Sequence, residues 1–435
     1  MRVPSPRLLA ALALCAGTLT VLAGCGKGTH ADGASTGGGT VAAPEARGVA
    51  AVATKNTTRL GGADPADDAA AVARAVYPGF TPATRPQAVA IVDERDWAGA
   101  LAASALASVP LAAPLLYAEG DTLPRASEQA LQAMRPLGAA KLGGAQVIAV
   151  GAGEAAPAGY TSKAIVGGLA AGNAGSANGA GGGAGGAEGE AAASAGVAVL
   201  KLLETTRGRA PHAVIVVAAD ASRALQMPAA GLAAESGAPI LFVSRSGVPK
   251  ATSDALKQLK RPTIYVVAPT TLHSRPFAEL AKLGTVVHVT GEFGPGEGTA
   301  HADNDPVENA ISVSRFSQGT FGWGIHEAGH GLVFANLARP LDAPAAASLS
   351  AHGDYGPLLL LEHSASVPAS LTHYLSDIEP GYTAAIPPVR EVYNHGWLIG
   401  DEQAISALAQ AELDTVLEIA PRQQSTAEES VAQAE

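Results

Sequence analysis

Cysteine is almost missing from this chain: its 435 residues hold only Cys15 and Cys25. Cys15 falls inside an N-terminal apolar run that reads as a cleaved leader, which leaves one thiol. One thiol excludes a disulfide framework, thiol catalysis in the folded body and a cysteine-ligated metal site. Stability must then come from an apolar core, and a hydrophobic content of 47%, much of it alanine, allows one. Basic residues are also scarce, 28 against 39 acidic. No dense basic patch appears, and Lys257, Lys260 and Arg261 come nearest to one. The balance argues against nucleic acid, or an anionic lipid surface, as the main target. Long apolar runs are missing too. After the leader no stretch approaches the roughly 20 residues that a membrane span needs.

What is present begins with the leader itself. Arg2 and Arg7 precede a mostly apolar run from Leu8 to Leu22, which ends in Leu22-Ala23-Gly24-Cys25. Small residues before a cleavage point fit a narrow protease cleft, and the Cys25 thiol is a nucleophile able to take a lipid. The tetrad resembles the bacterial lipobox. Residues 1–24 are therefore expected to be a lipoprotein signal peptide, with Cys25 the lipidated residue on the outer face of the cell membrane. Losing Arg2 and Arg7 takes the net charge from −11 to −13. Residues 25–52, rich in Gly, Ala, Ser and Thr, read as a flexible tether.

The body shows one unit three times. Strand-like runs start at Ala88, Ala213 and Gly331, and the proline before the next strand follows at Pro114, Pro239 and Pro357, always 26 residues on. A second proline (Pro124, Pro249, Pro368) stands where a helix should begin, a position whose N–H would be unpaired anyway. Closing strands are expected within 145–150, 263–267 and 389–399. Asp64-Pro65 and Asp305-Pro306 read as an N-cap followed by proline at the first helical position. In the third copy Leu371, Leu375 and Ile378 share one helical face. Short β-rich runs alternating with helices predict an α/β fold with parallel or mixed sheets flanked by helices. The expected units are 53–160, 161–284 with a Gly/Ala-rich insert at 168–195, and 285–417. A polar tail without periodicity is expected over 418–435.

This pattern resembles the bacterial cell wall-binding repeat, type 2. The matching residues are Arg59 to Gly62, Ala113 to Leu116, Leu123-Pro124 and Val147 to Gly151 in the first copy. The second matches at Pro239 to Leu241, Val248-Pro249 and Ile264 to Val267, and the third at Asp342-Ala343, Pro357 to Leu359, Val367-Pro368 and Val392 to Gly400. The resemblance implies Toprim-like units, a pseudo-threefold arrangement of three, and non-covalent binding to anionic wall polymer in a Gram-positive envelope.

Two groups in the third unit invite chemistry. His326-Glu327-Ala328-Gly329-His330 is a literal HExxH, which on a helix would hold zinc between His326 and His330 with Glu327 activating water. Its setting argues for a loop instead, because Gly331 starts a strand and Gly324, Gly329 and Gly331 oppose helix formation. Glu362, His352 or His363 could be taken as a third ligand, but no recognised downstream signature follows. Trp323, Tyr355, Tyr393 and Trp397 are aromatics beside glycines, suited either to stacking on sugar rings or to packing the edge of the unit. Asp93, Glu94 and Asp96 follow the first strand, at the end where α/β sheets place ligands. The expected function is a non-catalytic envelope lipoprotein that binds wall polymer or another envelope component, with no cofactor. The alternatives are a metal-dependent wall hydrolase using the histidine pair, and a solute-binding lipoprotein.

Overall fold

Twelve short strands pair into three parallel sheets, and their apolar runs explain why. The runs at Val89–Asp93, Leu115–Ala118, Val147–Val150, Ile240–Val243 and Leu358–Leu361 are buried almost throughout. Strands apolar on both faces need helices on both faces, the arrangement that parallel sheets adopt. The computed structural model describes residues 52–151, 157–165, 187–291, 304–351, 356–382 and 393–421. The leader, Cys25, Tyr355, most of the tether, the first part of the Gly/Ala insert and the tail beyond 421 lie outside them. Residues 46–435 form one compact unit. Among the described residues no helix is long and apolar enough to cross a membrane.

The first sheet runs Leu115–Ala118, Val89–Asp93, Val147–Val150, Ser162–Ile165. The second runs Ile240–Val243, Ala213–Ala218, Thr263–Val266, Thr285–His288. The third runs Leu358–Leu361, Gly331–Asn336, His395–Ile399, Thr57–Leu60, with Val52–Ala53 added antiparallel at its edge. The fourth strand of the first and second sheets thus comes from the segment that opens the next sequence copy. For the third sheet there is no next copy, and the segment that opens the first copy fills the place. Sequence period and sheet are offset by one strand, and the offset closes the chain on itself. Arg59 secures the closure. Its buried guanidinium donates to the carbonyls of Gly400 (3.0 Å), Asp401 (2.7 Å) and Ile405 (2.6 Å) and to Gln410 Oε1 (2.9 Å).

Each unit uses three kinds of helix. The lead-in helices are Pro65–Val76, Ala187–Arg207 and Pro306–Arg315. Asp64 caps the first by accepting from Asp67 N, and Asp305 caps the third by accepting from Val307 N and Glu308 N. The second begins at Ala187, inside the segment expected to be an insert. The outer helices Arg125–Met134, Lys250–Gln258 and Ala369–Asp377 each start directly after the expected proline, which serves as N-cap. In the last of these Leu371 and Leu375, with Ile378 just after it, are fully buried, as their spacing predicts.

The crossover helices are Trp97–Ala103 (continued by a 3-10 turn, Ser104–Ala107), Pro228–Ser236 and Asp342–Ser350. They pack on one another, and Ala107, Ala234 and Ala347 meet in a small cluster of their own. Alanine lets helix backbones come close. Each lead-in helix also packs on a neighbour's crossover helix: first on third, second on first, third on second. The contacts form a closed cycle. At the C-terminal end, Glu418 pairs with Lys55 at 2.5 Å, and Ala420–Pro421 forms a short strand beside Gly381–Tyr382. The described start of the expected tail is therefore tied to the body.

Candidate functional site

The HExxH segment lies in the loop between a short strand, Phe321–Gly322, and the strand Gly331–Asn336. Gly324 (φ 64°) and Gly329 (φ 110°) take left-handed conformations that break a helix. Asn394, fully buried, pins the loop: its Oδ1 accepts from Gly329 N (2.9 Å) and His330 N (3.1 Å), while its Nδ2 donates to Ile378 O (2.8 Å). His326 and Glu327 are exposed and His330 is half-buried. Glu362 and His363 follow the strand Leu358–Leu361, at the opposite end of the sheet, a separation of about 15–20 Å at 3.3 Å per residue. His352 is outside the described residues. Among the described residues no three His, Cys, Asp or Glu side chains gather closely enough to hold a metal ion.

The aromatics take separate positions. Trp323 is half-buried against the core, with Nε1 enclosed and no hydrogen-bond partner among the described residues. Trp397 lies in the strand His395–Ile399, and its ring meets His395 edge-on at 5.1 Å. Burial lowers the pKa of His395, against a smaller opposing effect of Asp414, and its Nε2 is 3.0 Å from Thr58 Oγ1. Tyr393, 55% exposed, stands just before that strand.

The acids after the first strand do three different jobs. Burial acts to raise the pKa of Asp93, but hydrogen bonds from Arg95 outweigh it and hold the carboxyl low. Glu94 is raised by burial and by the charges of Glu119 and Asp93. Asp96 is the N-cap of the first crossover helix, where Oδ1 accepts from Gly99 N at 2.8 Å. Its other oxygen is buried without a partner among the described residues, and burial pushes the pKa up to about 6.

A second group joins the first and third units. Asp68, on the buried face of the first lead-in helix, accepts from Gly62 N (2.8 Å) and from Arg339 Nη2. Arg339 Nε donates to Asp342 at 2.9 Å. Both carboxyls are fully buried and share one guanidinium, so burial dominates: Asp68 rises to about 6 and Asp342 well above the usual range. Asn309 is the matching residue of the third lead-in helix, four past its cap as Asp68 is. It donates to Leu225 O (3.0 Å) on the second unit. The sequence signal for this group was an acid placed on an alanine-rich, core-facing stripe. Its partner, Arg339, lies 271 residues away and gave no such signal.

An open groove of 510 Å³ lies between the edge strand Ser162–Ile165, the second lead-in helix and Ala251. Ser194, Val197, Ala198, Lys201 and Thr205 line it at helical spacing. Among the described residues Lys163 and Lys201 are the only charged ones that line it. Such a groove can hold an anionic ligand against an apolar floor.

No family model matches the chain, and no curated protein matches it. Solved structures do. Cwp6 from Clostridium difficile matches with a TM-score of 0.57 and 17% identity, over 88% of this chain and 50% of that one. Cwp8 from Clostridium difficile matches with a TM-score of 0.56 and 16% identity, over 83% and 51%. The chain spans about half the length of each, and at these identities the likeness is one of fold: this chain has the α/β architecture found in Cwp6 and Cwp8.

Proposed function

We propose that this chain is a non-catalytic protein of a Gram-positive envelope that binds an anionic wall polymer. On this reading the leader is removed, Cys25 carries a lipid on the outer side of the membrane, and the three units are Toprim-like and related by a pseudo-threefold axis. The observation that carries the ligand class is the groove at Lys163 and Lys201, the only charges lining it among the described residues. The repeat resemblance and the fold shared with Cwp6 and Cwp8 support the setting. A polymer with regularly spaced negative groups would pair with the two ammonium groups while its backbone lies along Val197 and Ala198.

Retention of the purified chain on isolated walls tests this. Retention should fall when the anionic polymer is stripped from the walls. Lys163→Glu with Lys201→Glu should weaken it about tenfold, the equivalent of about 1.4 kcal/mol. Equal retention on intact and stripped walls would refute the proposal.

A further inference from the structure

All strands of a parallel sheet point one way, so the loops entering the strands share one face of each sheet. In the first two units these faces are joined. Arg207, at the end of the second lead-in helix, donates to Ser108 Oγ (2.8 Å) before one strand and to Gly237 O (2.7 Å) before another. The Lys141 ammonium lies 3.1 Å from where a side chain at Gly208 would begin. The two sets of entry loops therefore form one continuous surface.

This surface departs from the rest of the chain in charge. The loops entering the first three strands of each sheet in chain order are 77–88, 108–114 and 135–146 in the first unit, and 208–212, 237–239 and 259–262 in the second. None holds an Asp or Glu, although the chain has 39. They hold Arg85, Arg135, Lys141, Arg209, Lys260 and Arg261, all but half-buried Arg85 exposed. The opposite ends of the same strands carry Glu94, Asp96, Glu119, Asp121 and Asp220, together with Arg95 and Arg245, which pair with Asp93 and Asp220. The acids of these strands thus lie at the end away from the entry loops.

Apolar side chains protrude from the basic end. Phe80 is 83% exposed, Val109 71% and Leu137 41%, one in each of these three loops of the first sheet. Phe80 sits on a braced loop: Arg135 donates to Gly79 O, Arg85 donates to Arg135 O, Gly79 N donates to Thr84 O (3.0 Å) and Leu137 N to Pro86 O (3.0 Å). The loop presents the ring to solvent and does not fold it inward.

We infer that this basic, apolar-tipped face docks on an anionic lipid surface. Arg and Lys pair with headgroup phosphates while Phe80, Val109 and Leu137 enter the boundary with the acyl chains. Apolar tips are what distinguish a bilayer from a soluble polyanion, since charge alone serves the polymer. The docking does not depend on a lipid at Cys25, and it is separate from the groove at Lys163 and Lys201.

The test uses the chain from residue 25 onward with Cys25→Ser, which removes the lipid and keeps every described residue. Sedimentation with phosphatidylglycerol–phosphatidylcholine vesicles should exceed that with phosphatidylcholine alone by roughly tenfold and should fall with salt. Phe80→Ser with Val109→Ser should lose most of the binding, as should Lys260→Glu with Arg261→Glu. Leu408→Ser, an exposed apolar residue elsewhere, should bind as the parent does. Equal sedimentation with both vesicles would overturn the inference. So would full binding by the Phe80/Val109 variant, which would assign the face to a soluble polyanion. Vesicle binding and wall retention are read separately, so either reading can fail without the other.

Discussion

Replacing Asp96 by Asn isolates the energetic effect of one buried charge. The carboxyl keeps a pKa of about 6 in the folded chain against an ordinary value of 3.8, chiefly through burial, with Asp93 adding to it. A shift of that size corresponds to about 3 kcal/mol at about 1.4 kcal/mol per unit. The raised folded value sets the sign. The proton's contribution to stability is fully present below about pH 4 and is lost as pH rises through about 6. Above that, the native state holds a buried carboxylate with one unpartnered oxygen. Asn keeps the acceptor that caps Gly99 N and carries no charge. Asp96→Asn should therefore gain on the parent by up to about 3 kcal/mol between pH 4 and pH 7.5. For a body of about 300 residues melting together, this is a rise of about 5 °C in the Tm difference. Calorimetry of both proteins across that pH range is the assay. A Tm difference that stays flat with pH would refute a raised pKa at Asp96 and the burial argument behind it.

Other perturbations reach other parts of the structure. Arg59→Ala removes donors from three carbonyls at the chain closure and should cost about 3–5 kcal/mol, with faster amide exchange in the strand His395–Ile399. Ala234→Leu forces bulk into the meeting point of the three crossover helices and should cost about 1–3 kcal/mol, read as a lower Tm. His326→Ala with His330→Ala should leave stability within about 0.5 kcal/mol and wall retention unchanged. Stoichiometric zinc in the purified protein, lost in that variant, would restore the hydrolase reading.

Much of the α/β architecture is legible locally. Buried strands announce themselves as unbroken apolar runs, because a strand covered on both faces has no polar side to show. The prolines at 124, 249 and 368 mark helix starts through the chemistry of a single residue, and the caps at Asp64 and Asp305 depend only on neighbours within three positions. The glycines that flank the HExxH motif already opposed a helix, because left-handed backbone at Gly324 and Gly329 is a local property.

What escaped was every pairing between distant segments. Thr57–Leu60 gives no sign in sequence that it pairs with a strand more than 330 positions later, since a four-residue strand carries no label for its partner. Asp68 and Asp342 acquire their raised pKa values only when two helices bury them side by side. Scattered basic residues likewise read as no patch at all, and an acidic net charge argued against a lipid surface. Parallel strands then put six of those residues in entry loops, as they did Phe80, Val109 and Leu137. Local propensities and spacings determined the elements and their order. Only tertiary contact decided which segment closes the third sheet, which carboxyls hold protons and where charge collects, because each is a sum over groups that the chain itself keeps far apart.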